Sequence, residues 1–191
     1  MKQILIISNT AFSIEKFREH YLSKITNYQF VIYTPNKISK LKKKYRNIEV
    51  KKFNTNNIID DFKELFKIFK NTNSSNIVVY SYKYQLIVSI LKKFFFRDYD
   101  IISIIAGRGS WALGNILKIF IYKKIIRLIT DISKIVICIN PSDLKYFKNY
   151  HKDKNKFFLL PTEGVEVENL PKVDNNSNNN FIFFGRLIKE K

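Results

Sequence analysis

Short apolar runs, each followed by a segment of helical length, repeat along the first 160 residues of the chain. Such runs are typical of buried parallel strands, which carry apolar side chains on both faces. The predicted strands cover residues 4–7, 29–34, 48–53, 77–80, 99–105, 134–139 and 156–160. The predicted helices cover residues 13–25, 57–70, 82–95, 113–132 and 142–150. This alternation predicts an α/β fold in which a parallel sheet carries helices on both faces.

Two of these helices carry further signals. Ser13 is a residue type that caps helices, and it stands where the first helix is predicted to begin. In the second helix one arc is apolar and comprises Ile58, Ile59, Phe62, Leu65, Phe66 and Phe69. Asp60 and Asp61 fall on the other arc, so we interpret them as solvated surface rather than as a pair of catalytic carboxylates.

The chain is strongly basic, with a formal net charge of +18 and a pI of about 9.8. Residues 1–139 hold 25 basic and 9 acidic side chains, whereas residues 140–191 hold 9 and 7. An excess of this kind predicts an anionic partner such as a membrane surface, a phosphorylated substrate or nucleic acid. A coding bias toward Ile, Lys and Asn is the competing explanation.

The sequence offers little for redox or metal chemistry. Cys138 is the single cysteine, so an internal disulfide is excluded, and its apolar neighbours predict a buried side chain. His20 and His151 have no partner at metal-ligand spacing, so we expect neither a metal nor another cofactor. We expect no signal peptide and no membrane-spanning helix, which favours a cytoplasmic location, free or on the inner face of the cell membrane.

Ligands of parallel α/β sheets bind beyond the carboxyl ends of the strands. Four loops are predicted to meet at that edge, and they begin at Ser8, Ser81, Ala106 and Pro161. The predicted architecture therefore indicates where a site should lie without specifying its chemistry.

Three motifs carry more specific information. The predicted strand before Ala106 leads into Gly107-Arg108-Gly109, and the next strand ends at Asn140 before a helix with Asp143 in its first turn. The third motif is Pro161-Thr162-Glu163-Gly164-Val165, followed by a polar linker and then Phe183-Phe184-Gly185-Arg186-Leu187-Ile188-Lys189-Glu190-Lys191. In order and spacing, these motifs resemble the family-4 glycosyltransferases of the GT-B fold, particularly the bacterial polysaccharide and lipid-linked oligosaccharide branch.

The resemblance implies a division of the chain. Residues 1–165 would form a Rossmann-like acceptor-binding domain, residues 166–180 an interdomain linker, and residues 181–191 the first strand and phosphate loop of a donor-binding domain. The chain then corresponds to the N-terminal half of such an enzyme, truncated where the donor-binding domain begins. We expect such a fragment to be inactive or nearly so.

The resemblance also implies site residues. The donor diphosphate would contact Gly185, Arg186 and Lys191. The acceptor side would comprise Gly107, Arg108, Gly109, Ser110, Glu163 and Gly164. Arg108 departs from the apolar residue usual at its position, and the loop after the first strand lacks the glycine of many relatives. No catalytic base is identified.

The function implied is transfer of a sugar, with retention of configuration, from a nucleotide-sugar to a saccharide or lipid-linked acceptor in surface polysaccharide biosynthesis, for capsule or lipopolysaccharide. The alternative is a non-catalytic basic α/β module that binds an anionic membrane surface or nucleic acid. We do not expect nucleic acid, because no RNA- or DNA-binding motif is present.

Two segments bear on a membrane surface as a partner. Residues 37–52 hold eight basic side chains and one acidic one and could bind lipid headgroups, but a solvated surface is the favoured interpretation. On the long helix, Ile116 and Phe120 share an arc with Lys123 and Arg127, as in helices that lie on membranes. Packing of the two apolar residues against the sheet is the competing interpretation.

Overall fold

The computed structural model describes residues 2–35, 45–55, 57–108 and 115–161. Its strands are β1 (Lys2–Ile7), β2 (Tyr28–Thr34), β3 (Ile48–Lys52), β4 (Asn76–Tyr80), β5 (Asp100–Ile105), β6 (Ile135–Cys138) and β7 (Phe157–Leu159). Its helices are α1 (Ala11–Phe17), α2 (Glu19–Lys24), α3 (Ile58–Asn71), α4 (Tyr82–Phe94), α5 (Ile116–Ile132) and α6 (Pro141–Tyr150). All seven predicted strands are thus present, and four of the five predicted helices match with small shifts at the ends, whereas the predicted first helix is divided into α1 and α2.

The seven strands form one sheet in the order β3-β2-β1-β4-β5-β6-β7. Every neighbouring pair is parallel, and β1 pairs with both β2 and β4. The strand order reverses between β1 and β4, which makes their carboxyl ends the topological switch point of the sheet. The predicted Rossmann-like α/β fold is confirmed.

Both faces of the sheet are covered, as the continuous apolar runs predicted. On one face, Leu5 and Ile7 of β1 pack in a cluster with α3 and α4, and Ile105 of β5 packs with α5. On the other face, Ile6 packs with Ile14 of α1 and Leu22 of α2. Successive strand residues point to opposite faces, so both sets of side chains are buried.

The first helix differs from its prediction. Thr10 rather than Ser13 is its N-cap, and the Thr10 hydroxyl accepts a hydrogen bond from the Ser13 backbone N–H. The helix is also interrupted at Arg18, which separates α1 from α2 and leaves its own backbone non-helical. Thr and Ser are both good caps, so residue type alone does not decide which of two close candidates begins the helix.

The prediction for α3 was wrong in two respects. Ile58 and Ile59 are 56% and 62% exposed, because they occupy the first turn of the helix and the core cluster of that face begins farther along the chain. Asp61 is fully buried instead of solvated. It lies one turn before Leu65 on the buried stripe, where its charge faces Lys83 of α4.

Candidate functional site

The carboxyl edge of the sheet gathers the loops that follow β1, β4, β5 and β6. Because β1 and β4 are neighbours, the loops that leave them pass to opposite faces and open a crevice between them. We define the rim as the described residues of these four loops and the first turns of the helices that follow them.

The loop after β1 is closed by hydroxyl groups. The Ser8 and Ser13 hydroxyls both donate to the Thr10 carbonyl, at 3.2 and 3.0 Å, and the two hydroxyl oxygens lie 3.1 Å apart. Ser8 is completely buried. This network of hydroxyl groups holds the turn without a glycine, and Thr10 already occupies the Ser13 N–H, so the first turn of α1 offers fewer donors to a ligand.

A buried guanidinium lies beneath the switch point. Arg18 is 7% exposed, and its Nη1 donates to the Ser13 carbonyl at 2.8 Å. Its Cζ lies 3.9 Å from the centre of the Tyr80 ring, at the last residue of β4. The Tyr80 hydroxyl in turn lies 3.2 Å from that of Tyr21. Arg18 therefore ties α1 to the end of β4 and fixes one wall of the crevice.

The opposite wall begins with a strained residue. Ser81 follows β4 directly and has a φ of 68°, the one positive φ among the described non-glycine residues. Such a conformation costs about 1–3 kcal/mol and persists only where the surroundings enforce it. Ser81 also serves as the N-cap of α4 without a side-chain cap, although its carbonyl accepts from Gln85. Backbone strain thus coincides with the switch point.

The loop after β5 is fixed by a tyrosine. Gly107 has a φ of 101°, which favours glycine, although a Cβ would meet nothing within 4 Å. Its carbonyl accepts a 2.6 Å hydrogen bond from the Tyr82 hydroxyl of α4. Glycine is therefore required here by backbone conformation rather than by close packing.

Arg108 is held at the rim by two residues of α6. Its Nε lies 3.1 Å from Asp143 Oδ1, and its Cζ lies 5.2 Å from the centre of the Tyr146 ring. Asp143 is nearly completely buried, whereas the Arg108 side chain remains 45% exposed. A guanidinium carries five N–H donors, so the Nε contact leaves the outer nitrogens able to bind an anion.

Asp143 is itself anchored by Asn140. The Asn140 side chain accepts from the Asp143 backbone N–H at 2.8 Å and donates to Asp143 Oδ2 at 2.6 Å. This reciprocal cap begins α6, with Pro141 at its first position. The carboxylate that orients Arg108 is therefore positioned by the start of the helix.

Two buried tyrosine hydroxyl groups and the Cys138 thiol lie near Asp143. Burial, followed by the neighbouring Tyr122, raises the pKa of Tyr82 far above its ordinary value, so Tyr82 stays a donor. Burial likewise raises the pKa of Tyr122, whose ring meets Tyr82 edge-on at 6.1 Å. Cys138 is completely buried, as predicted, and burial together with the nearby Asp143 carboxylate raises the pKa of its thiol to about 12.

A second buried carboxylate lies where α3 and α4 begin. Asp61 Oδ2 lies 2.5 Å from Lys83 Nζ, and the Lys83 side chain is 46% exposed. Asp61 Oδ1 makes no hydrogen bond within the described ranges. Burial, and then the Asp61 charge, raises the pKa of Tyr84 to about 12. The pair places another oriented cation beside the loop that follows β4.

Most of the predicted site residues lie outside the described part of the chain. Gly107 and Arg108 are described, and the structure brings them to the rim as expected. The others lie outside the described residues, namely Gly109, Ser110, Glu163, Gly164, Gly185, Arg186 and Lys191. No group of His, Cys, Asp or Glu that could hold a metal ion occurs among residues 2–35, 45–55, 57–108 and 115–161. In those same ranges no helix has both the length and the apolarity needed to cross a bilayer.

An open cleft of about 320 Å³ lies at the opposite edge of the sheet, lined by residues 72–75 and 95–99. It is bounded by the carboxyl ends of α3 and α4, where the helix dipoles are negative. The charges of Arg97 and Asp98, which both line the cleft, offset each other, so the negative helix ends disfavour an anionic ligand such as a sugar nucleotide there. We therefore assign the candidate site to the rim.

Sequence reasoning missed the roles of several residues in and around the rim. The roles of Arg18, Tyr82, Asp143 and Tyr146 depend on contacts between elements distant in sequence. For Asp143 a local signal exists, since Asn140 and Asp143 stand at the spacing of a reciprocal helix cap. The buried pair of Asp61 and Lys83 leaves no comparable signal, because both residues look like members of solvated helix faces.

Comparisons with known proteins bear on the fold. No protein-family model and no curated protein sequence matches the chain. Among solved structures, sucrose-phosphate synthase from Thermosynechococcus elongatus is similar with a TM-score of 0.62 and 9% identity, over 83% of this chain and 47% of that one. UDP-N-acetylglucosamine 2-epimerase from Rickettsia bellii is similar with a TM-score of 0.60 and 15% identity, over 85% of this chain and 45% of that one. The lipopolysaccharide outer core galactosyltransferase WaaB is similar with a TM-score of 0.55 and 11% identity, over 82% of this chain and 44% of that one.

The chain spans about half the length of these three proteins. At such low identity the likeness concerns the fold alone: this chain has a fold that glycosyltransferases share with a sugar-nucleotide epimerase. It identifies no substrate and no catalytic residue.

Proposed function

We propose that this chain is the acceptor-binding half of a glycosyltransferase, which moves a sugar from a nucleotide-sugar to a saccharide or lipid-linked acceptor. The observation that supports this most is the half-exposed guanidinium of Arg108, fixed by Asp143 at the carboxyl edge of a Rossmann-like sheet. Two solved proteins of similar fold are, by their names, a galactosyltransferase and an epimerase of a UDP-sugar, and both descriptions are compatible with this proposal.

Arg108 is the residue to which we assign recognition of an anionic group on the acceptor. A phosphate or carboxylate beside it would receive charge-assisted hydrogen bonds from the outer guanidinium nitrogens, while Nε stays with Asp143. Gly107 and Ser81 would offer backbone groups on either side of the same opening. No described residue is assigned as a catalytic base.

The donor side of this proposal rests on the sequence resemblance. Arg186 and Lys191 would stabilise the diphosphate that leaves with the nucleotide, since its negative charge grows in the transition state. In this account transfer retains the configuration of the sugar, requires no bound metal and serves surface polysaccharide biosynthesis. The 191 residues alone would bind acceptor but would not turn over a nucleotide-sugar at a normal rate.

Transfer is preferred to epimerisation because of the order of the motifs. The fold is shared by both kinds of enzyme, so it does not discriminate between them. The series that begins at Gly107, continues through Asn140 and ends at Lys191 resembles glycosyltransferases of the polysaccharide branch. That resemblance is the ground for naming a transferase.

The test is equilibrium binding of a short-chain prenyl-diphosphate N-acetylglucosamine to the chain. We expect saturable binding that Arg108→Gln weakens about tenfold or more, because a charged hydrogen bond contributes about 1.5–3 kcal/mol. Arg108→Lys keeps the charge and should retain part of the affinity. Arg97→Gln removes an exposed cation from the opposite edge and should leave binding unchanged.

Two results would contradict the proposal. One is the absence of saturable binding to any diphosphate-linked or free saccharide. The other is binding that falls steeply with salt, shows no preference for saccharide and is equally strong for oligonucleotides. That behaviour would favour a non-catalytic basic module instead.

A further inference from the structure

The outward face of the first two turns of α5 is apolar. Asn115 caps the helix by accepting from the Lys118 N–H at 3.0 Å. Ile116, Leu117 and Phe120 then expose 88%, 65% and 58% of their surfaces, and Ile121 is also exposed. We call Ile116, Leu117, Phe120 and Ile121 the α5 patch.

The α5 patch makes no contribution to the core. The buried face of α5 is formed by Tyr122, Ile126 and Ile129, which lie on the opposite side of the helix at helical spacing. Packing of Ile116 and Phe120 against the sheet, one of the two interpretations of the sequence, is therefore wrong. Four adjacent apolar side chains facing water at one end of a helix indicate an interaction surface.

Cations surround the α5 patch. Lys118, Lys123, Lys124 and Arg127 are all exposed, and no acidic residue occurs between residues 116 and 127. Lys124 Nζ lies 5.5 Å from the centre of the Phe120 ring. The first acid of the helix, Asp131, lies 3.7 Å from Arg127 at its far end. The surface thus combines an apolar tip with a basic border.

We propose that the α5 patch docks on the surface of an anionic lipid bilayer. Apolar side chains bordered by Lys and Arg on one helix fit the interface, where the former enter the acyl boundary and the latter meet lipid phosphates. A second copy of the chain is a poor occupant because each copy carries a formal charge of +18. Most protein partners are also disfavoured, since Lys is depleted in protein interfaces.

The orientation would have a consequence for the rim. The helix α5 follows β5 in a parallel sheet, so its first turn lies at the same edge as Arg108. A bilayer that covers the α5 patch would therefore lie at the rim, which includes the first turn of α5. The docking surface is argued from exposure and charge alone and does not depend on the proposed function.

The test is flotation of the chain with vesicles of phosphatidylcholine alone, or of phosphatidylcholine mixed with phosphatidylglycerol. We expect binding to the mixed vesicles that far exceeds binding to the neutral ones. Leu117→Ser with Phe120→Ser should abolish most of it. Lys123→Gln with Lys124→Gln should weaken it about 25-fold, at about fivefold for each cation lost.

The helix α3 offers matched controls. Ile58 and Ile59 are exposed to a similar degree as Leu117 and Phe120, and Lys63 and Lys67 are exposed lysines of that helix. Ile58→Ser with Ile59→Ser, and Lys63→Gln with Lys67→Gln, should leave vesicle binding near that of the original chain. All the substituted side chains are exposed, so circular dichroism should show that every variant is folded.

Three outcomes would overturn the proposal. The first is no binding to either kind of vesicle. The second is equal loss in the α3 and α5 lysine variants, which would mean that a general charge attraction suffices. The third is a concentration-dependent dimer that Leu117→Ser with Phe120→Ser dissociates, because the occupant would then be a second copy.

Discussion

Breaking the ion pair of Asp61 and Lys83 should lower the free energy of unfolding far more than the sequence, which predicts a solvated Asp61, would indicate. Asp61 is fully buried, and its one charged contact among the described residues is Lys83 Nζ at 2.5 Å. The substitution Lys83→Met keeps most of the apolar stem but removes the cation. It would leave a buried carboxylate without a counter-ion.

The expected loss follows from the geometry. Breaking a fully buried pair costs about 3–5 kcal/mol, and the 46% exposure of Lys83 lets water compensate in part, so we expect about 2–3 kcal/mol. For a chain of this size, that corresponds to a fall of roughly 4–12 °C in Tm. Lys83→Met with Asp61→Leu should recover most of the loss, since no buried charge remains.

The assay is urea denaturation followed by circular dichroism, with the exposed pair of Lys67 and Glu64 as control. These two groups lie 2.9 Å apart on the surface of α3, so Lys67→Met should cost less than about 1 kcal/mol. Equal effects of Lys83→Met and Lys67→Met would refute the reasoning. So would a double variant less stable than Lys83→Met alone.

Three further predictions concern the same fold. Burial lowers the pKa of His151 below its ordinary 6.5, so the unfolded chain binds the proton more readily than the folded chain does. The free energy of unfolding, measured by urea titration, should therefore fall as the pH drops below about 6.5. The substitution His151→Gln should remove this part of the pH dependence. Phe147→Ala should cost about 3–5 kcal/mol in the same assay, because a buried ring stacked on Phe157 leaves a cavity, and a cost below 1 kcal/mol would argue against that packing. The buried Cys138 thiol, with its pKa raised to about 12, should react with a thiol reagent only after unfolding, and rapid labelling of the native chain would contradict the packing of β6.

The sheet and its helices could be predicted because the apolar runs and the helix-cap residues indicate the same elements. The apolar run around Leu5 is buried on both faces, as a central parallel strand requires, and the run around Val136 is buried on one face and half-buried on the other. Pro141 and Asn140 mark the start of α6 by local cap chemistry. Such signals depend on near neighbours in sequence, and their positions were predicted to within a few residues.

The candidate site could be predicted only in part. The loop at Gly107 and Arg108 was located by motif, but the partner that fixes Arg108 lies 35 residues farther along the chain. The burial of Asp61 was missed because the sequence of α3 is amphipathic whether Asp61 lies on the buried face or on the exposed face. Only the contact with α4 decides which acidic residue of the helix is buried. Contacts between distant elements determine chemistry here, and periodicity does not encode them.

The central claim is that the rim at the carboxyl edge binds a sugar acceptor. The most direct test is a titration of the ¹⁵N-labelled chain with the prenyl-diphosphate N-acetylglucosamine, followed by amide chemical shifts. We predict saturable shifts at Thr10, Ser81, Gly107 and Arg108, and none in residues 72–75. Shifts confined to the cleft lined by residues 72–75 and 95–99, or no saturable shift anywhere, would contradict the account.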